Sequence, residues 1–177
     1  MPDIEIKPVS PSPDIRAGLS EILIEAVAHG GSVSFMHPLS PEIANTFWEK
    51  SLAAAARGER IILGAFDGDR LVGTVTLVLD LALNQLHRAE IVKMMTRVSH
   101  RGRGVAKALL HAAERVAIEH GRWLLVLDTA DDEGASGLYE RVGYILAGVI
   151  PDYAYKPHGG MTGTMFYWKR LPELAPA

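Results

Sequence analysis

The chain has 177 residues, with 18 Lys and Arg against 21 Asp and Glu, a formal charge of −3, 48% hydrophobic residues and no cysteine. Its length predicts one domain over residues 1–177 that buries about 70% of its unfolded surface, so neither disulfides nor a structural metal is required. The absence of cysteine excludes a disulfide framework, a Cys-ligated zinc, a thiol nucleophile and a redox pair, and the small acidic excess argues against a general nucleic-acid or anionic-membrane binder.

The opening residues, MPDIEIKPVSPSPD, carry acids and prolines where a secretory leader would have a basic cap and an apolar run, so a cytoplasmic location is expected. No apolar stretch approaches the ~20 residues that cross a bilayer. Asp14 is a suitable N-cap for a first helix, in which Ile15, Leu19, Ile22 and Ala26 recur at helical spacing until Gly30-Gly31. Ser40-Pro41 opens a second helix that runs through Trp48, Leu52 and Ala55 to Gly58. Ile61 to Phe66 and Leu71 to Leu79 flank Asp67-Gly68-Asp69-Arg70 and read as a hairpin.

A polar link with Asn84 and His87 precedes a third strand from Ala89 to Val98, and a helix follows from Gly104 to His120-Gly121. Its stripe of Val105, Leu109, Ala112 and Val116, flanked by Ala106, Leu110, Ala113 and Ala117, is wide enough to pack on a sheet. The apolar run from Trp123 to Asp128 predicts a central strand, parallel to its predecessor and buried on both faces. A short helix over 135–142, a strand from Tyr144 to Val149, a loop from Pro151 to Met161 and a last strand from Gly163 to Lys169 complete the order, with a frayed tail after them.

The chemistry concentrates where the third strand turns into the long helix, at Arg101-Gly102-Arg103-Gly104-Val105-Ala106. Free N–H groups at a helix start, with the positive end of the dipole behind them, make an anion site, and Gly102 and Gly104 let a phosphate approach the backbone. Many strand-to-helix turns use glycine only for steric freedom; Arg101 and Arg103 tip this one towards an anion. No Gly-Lys-Ser/Thr follows, which excludes a Walker A loop, and the glycines come too late in the chain for a dinucleotide fingerprint.

The segment resembles the acyl-CoA signature of the GNAT superfamily, Gln/Arg-x-x-Gly-x-Gly/Ala, at Arg101, Gly104 and Ala106, and the order of elements is similar over nearly the whole chain. The resemblance implies an α/β fold with a mixed, mostly antiparallel twisted sheet flanked by helices and a split between two central parallel strands. It also implies acetyl-CoA as cofactor, with the backbone of Met94, Met95 and Thr96 against the pantetheine and the amides of Gly102, Arg103, Gly104, Val105 and Ala106 on the pyrophosphate.

Ala135 to Tyr144 looks like the family's short helix, which adds Ser136 and Tyr139 to the cofactor site and makes the Tyr139 hydroxyl a candidate acid for the departing thiolate. Glu90, eleven residues before Arg101, stands where some lysine-acetylating members carry a general base; an ordinary salt-bridged strand glutamate fits that position equally well. The stretches His29 to Met36, Glu90 to Gly104 and Leu127-Asp128-Thr129 are similar to the tabtoxin-resistance type within the superfamily. That similarity implies an acceptor pocket lined by Ser34, Phe35 and Met36 with Tyr153; the substrate does not carry over with it, and the small and apolar residues at Ser34 to Met36 point to a small-molecule amine, an amino-acid-like compound, antibiotic or toxin. One departure is Arg97-Val98-Ser99, where many members have a proline.

The seven histidines lack paired-ligand spacing, so no metal is expected, and the acids at Asp128, Asp131, Asp132 and Glu133 read as a solvated loop able to attract a cationic amine. Direct attack in a ternary complex is expected, because no cysteine can carry the acetyl group. Protein lysines or N-termini remain open as acceptors, and a non-catalytic acyl-CoA sensor is the competing class; Tyr139 and Glu90 favour an enzyme. A homodimer is expected from the family.

Overall fold

The computed structural model describes residues 4–131 and 136–172. Seven strands form one sheet: β1 (Ile4–Pro8), β2 (Arg60–Asp67), β3 (Arg70–Val78), β4 (Arg88–Thr96), β5 (Leu124–Ala130), β6 (Ile145–Tyr155) and β7 (Met161–Arg170). Their spatial order is β1-β2-β3-β4-β5-β7-β6, and every neighbouring pair is antiparallel except β4 with β5. The helices are α1 (Pro13–Ala28), α2 (Pro41–Ala56), α3 (Val105–Glu119) and α4 (Ser136–Arg141).

Each face of the sheet has its own core. Leu109, Leu110, Ala113 and Ala117 of α3 pack on Val75, Leu77, Ala89, Ile91 and Leu125, and Tyr139 and Val142 extend that layer. On the other face Leu19, Leu23 and Val27 of α1 and Trp48 and Leu52 of α2 cover Ile62, Phe66 and Met95. Burying a large aliphatic or aromatic side chain of this kind contributes about 1.5–3 kcal/mol relative to exposure, so the two layers fix where β4 and β5 lie.

Several boundaries differ from the sequence expectation. The first helix is capped by Ser12, whose hydroxyl accepts from the Ile15 N–H (3.1 Å), with Pro13 at its start and Asp14 in the first turn. β1 was not expected: five half-exposed residues among prolines carry little local signal, and the strand exists because it pairs with β2 at the sheet edge, where Pro8 need not donate. β5 is central and parallel to β4, as expected, but only Leu125 and Leu127 are buried; its other face looks into a cleft. The expected loop from Pro151 onward is a continuation of β6 to Tyr155, bulged between Ile150 and Ala154.

Two irregularities shape that cleft. β4 and β5 pair only over Arg88–Glu90 and Leu124–Val126, beyond which they part. β4 also carries a bulge, since Val92 faces Thr76 and Met95 faces Thr74, leaving Lys93 and Met94 opposite Val75. Lys93 takes the extra turn at φ 53°. The bulge reverses the strand's alternation, so that Met95 joins the α1–α2 layer while Met94 packs towards α3.

Candidate active site at the parted strands

Where β4 and β5 part, two cavities meet. The larger, of about 440 Å³, runs between Met94, Met95 and Thr96 on one side and Thr129 and Ala130 on the other, and reaches Arg101, Ala106 and the His29–Val33 loop. The smaller, of about 170 Å³, is lined by Ser32 to Ser34, Ile91 to Met94, Asp128, Thr129 and Tyr139. Ser32, Val33, Met94, Thr129 and Tyr139 border both. A site with two chambers sharing a wall suits two substrates that must touch.

The larger chamber ends at the start of α3. Gly102 and Gly104 adopt φ 72° and 81°, a left-handed backbone that costs an L residue roughly 1–2 kcal/mol, and a Cβ at either would meet nothing within 4 Å. The turn is therefore open to solvent and leads the N–H groups of the first turn of α3 outwards, with Arg101 and Arg103 exposed beside it. Val105 buries its side chain in the core, so only its backbone can serve a ligand. Thr96 lines the chamber wall, and its buried hydroxyl has no hydrogen-bond partner among the described residues. Open glycines, arginines, an orphaned hydroxyl and an unpaired strand edge fit the elongated, phosphate-bearing cofactor inferred from the sequence.

The turn itself is tied to α1. Arg97 is buried, donates through Nε to the Leu71 carbonyl (2.8 Å) and pairs with Glu21 (2.6 Å) and Glu25 (3.4 Å). The Val98 N–H donates to Glu25 Oε1 (2.6 Å), a bond that a proline there could not make. Where the sequence departs from the family's proline, the turn is held by an ionic clamp instead.

Tyr139 is 6% exposed and sits at the shared wall, its ring 5.7 Å from that of Tyr167 and 5.9 Å from that of Tyr144. Burial, reinforced by the negative charge of Asp128, pushes its hydroxyl well above the usual tyrosine range, so it holds its proton. Asp128 opens into the small chamber and accepts from the Thr164 hydroxyl (3.1 Å); it is a strand residue rather than part of a solvated loop. Asp131 is likewise bonded, to Thr162 and the Gly163 N–H, while Asp132 and Glu133 lie outside the described residues.

Of the residues singled out in the sequence, Met94, Met95, Thr96, Arg101, Ala106, Tyr139 and Ser34 converge on the chambers. Glu90 borders neither; it accepts from Arg88 at 2.8 Å in the stretch where β4 and β5 are still paired. Phe35 packs edge-on against Phe47 and lines a separate surface hollow with Ile43 and Lys50. Met36 is 49% exposed, and Tyr153, 52% exposed in the β6 bulge, stacks edge-on against Phe166. Ser136 opens α4, and its side chain lies outside the described residues.

Lys93 and Asp128 are charged chamber residues that the sequence reading did not place in the site, Asp128 having been read as part of a solvated acidic loop. The signal lay in the structure: a strand bulge aims Lys93 across the small chamber, and the early parting of β4 and β5 uncovers Asp128. Among the described residues no cluster of three His, Cys, Asp or Glu side chains could hold a metal ion, and no helix is long and apolar enough to cross a membrane.

The mixed seven-stranded sheet, parted at its one parallel pair beside a glycine-arginine turn, is an acyl-transferase architecture. The model of the acetyltransferase (GNAT) family matches residues 24–144, and the chain belongs to that family of acetyl-CoA-dependent N-acetyltransferases. A stretch of 81 residues, 45% of the chain, is 33% identical to N-alpha-acetyltransferase 30 of Schizosaccharomyces pombe and spans 54% of that protein, about half its length. Among solved structures, an N-acetyltransferase from Staphylococcus aureus Mu50 superposes with a TM-score of 0.80 at 19% identity, over 96% of this chain and 99% of its own. yncA of Salmonella typhimurium, solved with its cofactor acetyl-CoA, gives 0.77 at 18% identity, over 98% and 96%. At such identities the likeness is one of fold.

Proposed function

We propose that the protein transfers the acetyl group of acetyl-CoA to the primary amine of a small, amino-acid-like acceptor, by direct attack in a ternary complex. The observation that carries this reading is the pair of chambers meeting at Tyr139: a long one ending in the glycine-arginine turn and a small one holding charged side chains. When bound, acetyl-CoA supplies an activated thioester carbonyl. The chain's part is to hold it along Met94 to Thr96, to receive its pyrophosphate on the N–H groups from Gly102 to Ala106, and to keep Arg101 and Arg103 beside the phosphates.

In the reaction the acceptor nitrogen forms a bond to the carbonyl carbon while the carbon–sulfur bond breaks; the amine loses a proton and the sulfur gains one. A backbone N–H near Met94 would stabilise the charge developing on the carbonyl oxygen. Tyr139, protonated throughout the working range, gives the proton to sulfur. Two carboxylates are candidates for the amine's proton: Asp128 opens into the small chamber, and Glu90, held by Arg88 outside it, would act through water. With no cysteine in the chain, the acetyl group passes directly to the amine.

A small chamber of about 170 Å³ supports a compact acceptor of the tabtoxin-resistance kind over a protein lysine. The stretch shared with N-alpha-acetyltransferase 30 supports a second reading, a peptide N-terminus as acceptor. Thiol release from acetyl-CoA against free amino acids, β-lactam amines, polyamines and N-terminal peptides separates the two; a response to peptides alone would reverse the order. Tight CoA binding with no acceptor-dependent release would favour the sensor. We further propose a homodimer docked along β6, whose Ile145, Leu146, Val149 and Ile150 are 42–52% exposed on an uncovered sheet edge.

A further inference from the structure

We propose that Lys93 is the specificity residue for the acceptor: its ammonium binds the carboxylate of a free amino acid, turning the acceptor's amine towards Asp128 and Tyr139. The inference rests on the acetyl-transfer reading above and narrows its substrate class to amines that also carry a carboxylate.

Two non-glycine residues at the small chamber have left-handed backbones, Lys93 at φ 53° and Ser34 at φ 75°. They lie 59 positions apart in sequence, yet their side chains meet across the chamber, Lys93 Nζ donating to Ser34 Oγ at 3.0 Å. Strained backbones of this kind persist only where the surroundings over-determine them, and they gather at ligand clamps. Here both unusual conformations serve one contact. The Lys93 ammonium also lies 5.6 Å from the centre of the Phe47 ring, which braces it from the α2 side.

Among the described residues no carboxylate lies within 4.0 Å of Lys93 Nζ. Burial is the leading influence on the amine and lowers its basicity; Asp128 on β5 opposes that effect and Arg60 on β2 adds to it. A partly desolvated lysine held by a hydroxyl and a ring, with only a distant counter-charge, gains most from an arriving carboxylate, because charge-assisted bonds strengthen where water is scarce. Asp128 borders the same chamber. The chamber thus offers a cation and an anion to a zwitterion, with Tyr139 bordering the same space. A peptide N-terminus, whose α-carboxyl is tied up in an amide, could not use the cation.

The test compares alanine, serine, glutamine and methionine with their α-carboxamides, in turnover by thiol release and in binding to the CoA-loaded protein by thermal shift. Wild-type protein is expected to favour the free acids, and Lys93→Met to raise their KM roughly 10–100-fold, the worth of a charge-assisted contact. The carboxamides should shift by under about threefold in KM. Lys93→Arg should retain the preference and Lys93→Glu should invert it, with CoA affinity unchanged in all three as the control for folding. A kcat loss in Lys93→Met that is equal for acids and carboxamides would mean a catalytic or structural role and overturn the proposal. So would the absence, across all four pairs, of any Lys93-dependent preference in turnover or binding. If nothing is acetylated but the free acids still raise Tm in a Lys93-dependent way, the carboxylate site stands and the acetyl-transfer reading fails.

Discussion

At the scale of single residues, the proposed mechanism divides the proton transfers between Tyr139 and a carboxylate, Asp128 or Glu90. The Tyr139 phenol is buried beside an anion and stays protonated, so Tyr139→Phe should leave acetyl-CoA binding intact while kcat falls roughly 10²-fold, the usual contribution of a positioned acid. A parallel rise in the Kd for CoA would mean that the hydroxyl serves cofactor binding rather than proton transfer. The two carboxylates are separable in the same assay. Asp128 borders the chamber whereas Glu90 is held by Arg88 outside it, so Asp128→Asn should lower kcat/KM more than Glu90→Gln does. The opposite order would place the working base on β4 and require a water path from Glu90.

Among the elements, the turn from β4 into α3 carries most of the proposed phosphate contacts. Gly104 stands at φ 81° as the residue before α3, with open space where a Cβ would go. Gly104→Ala should therefore cost about 1–2 kcal/mol from the left-handed backbone alone and raise the KM for acetyl-CoA without changing the acceptor's. Unchanged CoA affinity would show that the turn is merely permissive. This element was legible in the sequence because its signals are local: glycines, arginines and a helix stripe within about fifteen residues. The features that sequence reading missed are non-local. β1 exists through its partner β2, the extension of β6 through β7, and the cleft face of β5 through the early parting from β4. The bulge at Lys93 likewise follows from how β4 registers with β3, and nothing in Ile91-Val92-Lys93-Met94 announces it. Of the residues expected at an acceptor pocket, Ser34 borders the small chamber, while Met36 and Tyr153 are exposed and Phe35 packs against Phe47 of α2.

For the whole molecule, the C-terminal half of the sheet carries both the proposed docking edge and a buried tyrosine stack. If β6 seats a second copy, Ile150→Lys should shift the protein from dimer to monomer in light scattering and leave the far-ultraviolet spectrum unchanged; a wild-type monomer would remove the idea. Behind that edge, Tyr139, Tyr144 and Tyr167 stack to join α4 to β6 and β7, and burial is the leading cause raising all three phenols above their ordinary range. Their stabilising effect has a definite sign. In the unfolded chain these groups ionise near pH 10, whereas in the fold they hold their protons to higher pH, so the unfolded state binds fewer protons once that value is passed. Stability is full below about pH 10 and declines above it, by about 1.4 kcal/mol per pH unit for each tyrosine as deeply buried as Tyr139 and Tyr144. The urea midpoint should therefore drop steeply between about pH 10 and 11.5. Tyr144 has a buried hydroxyl without a partner, so Tyr144→Phe should fold well at neutral pH and flatten that alkaline slope by about one proton's worth. An unchanged slope would mean that Tyr144 ionises alike in both states and that the stack contributes packing alone.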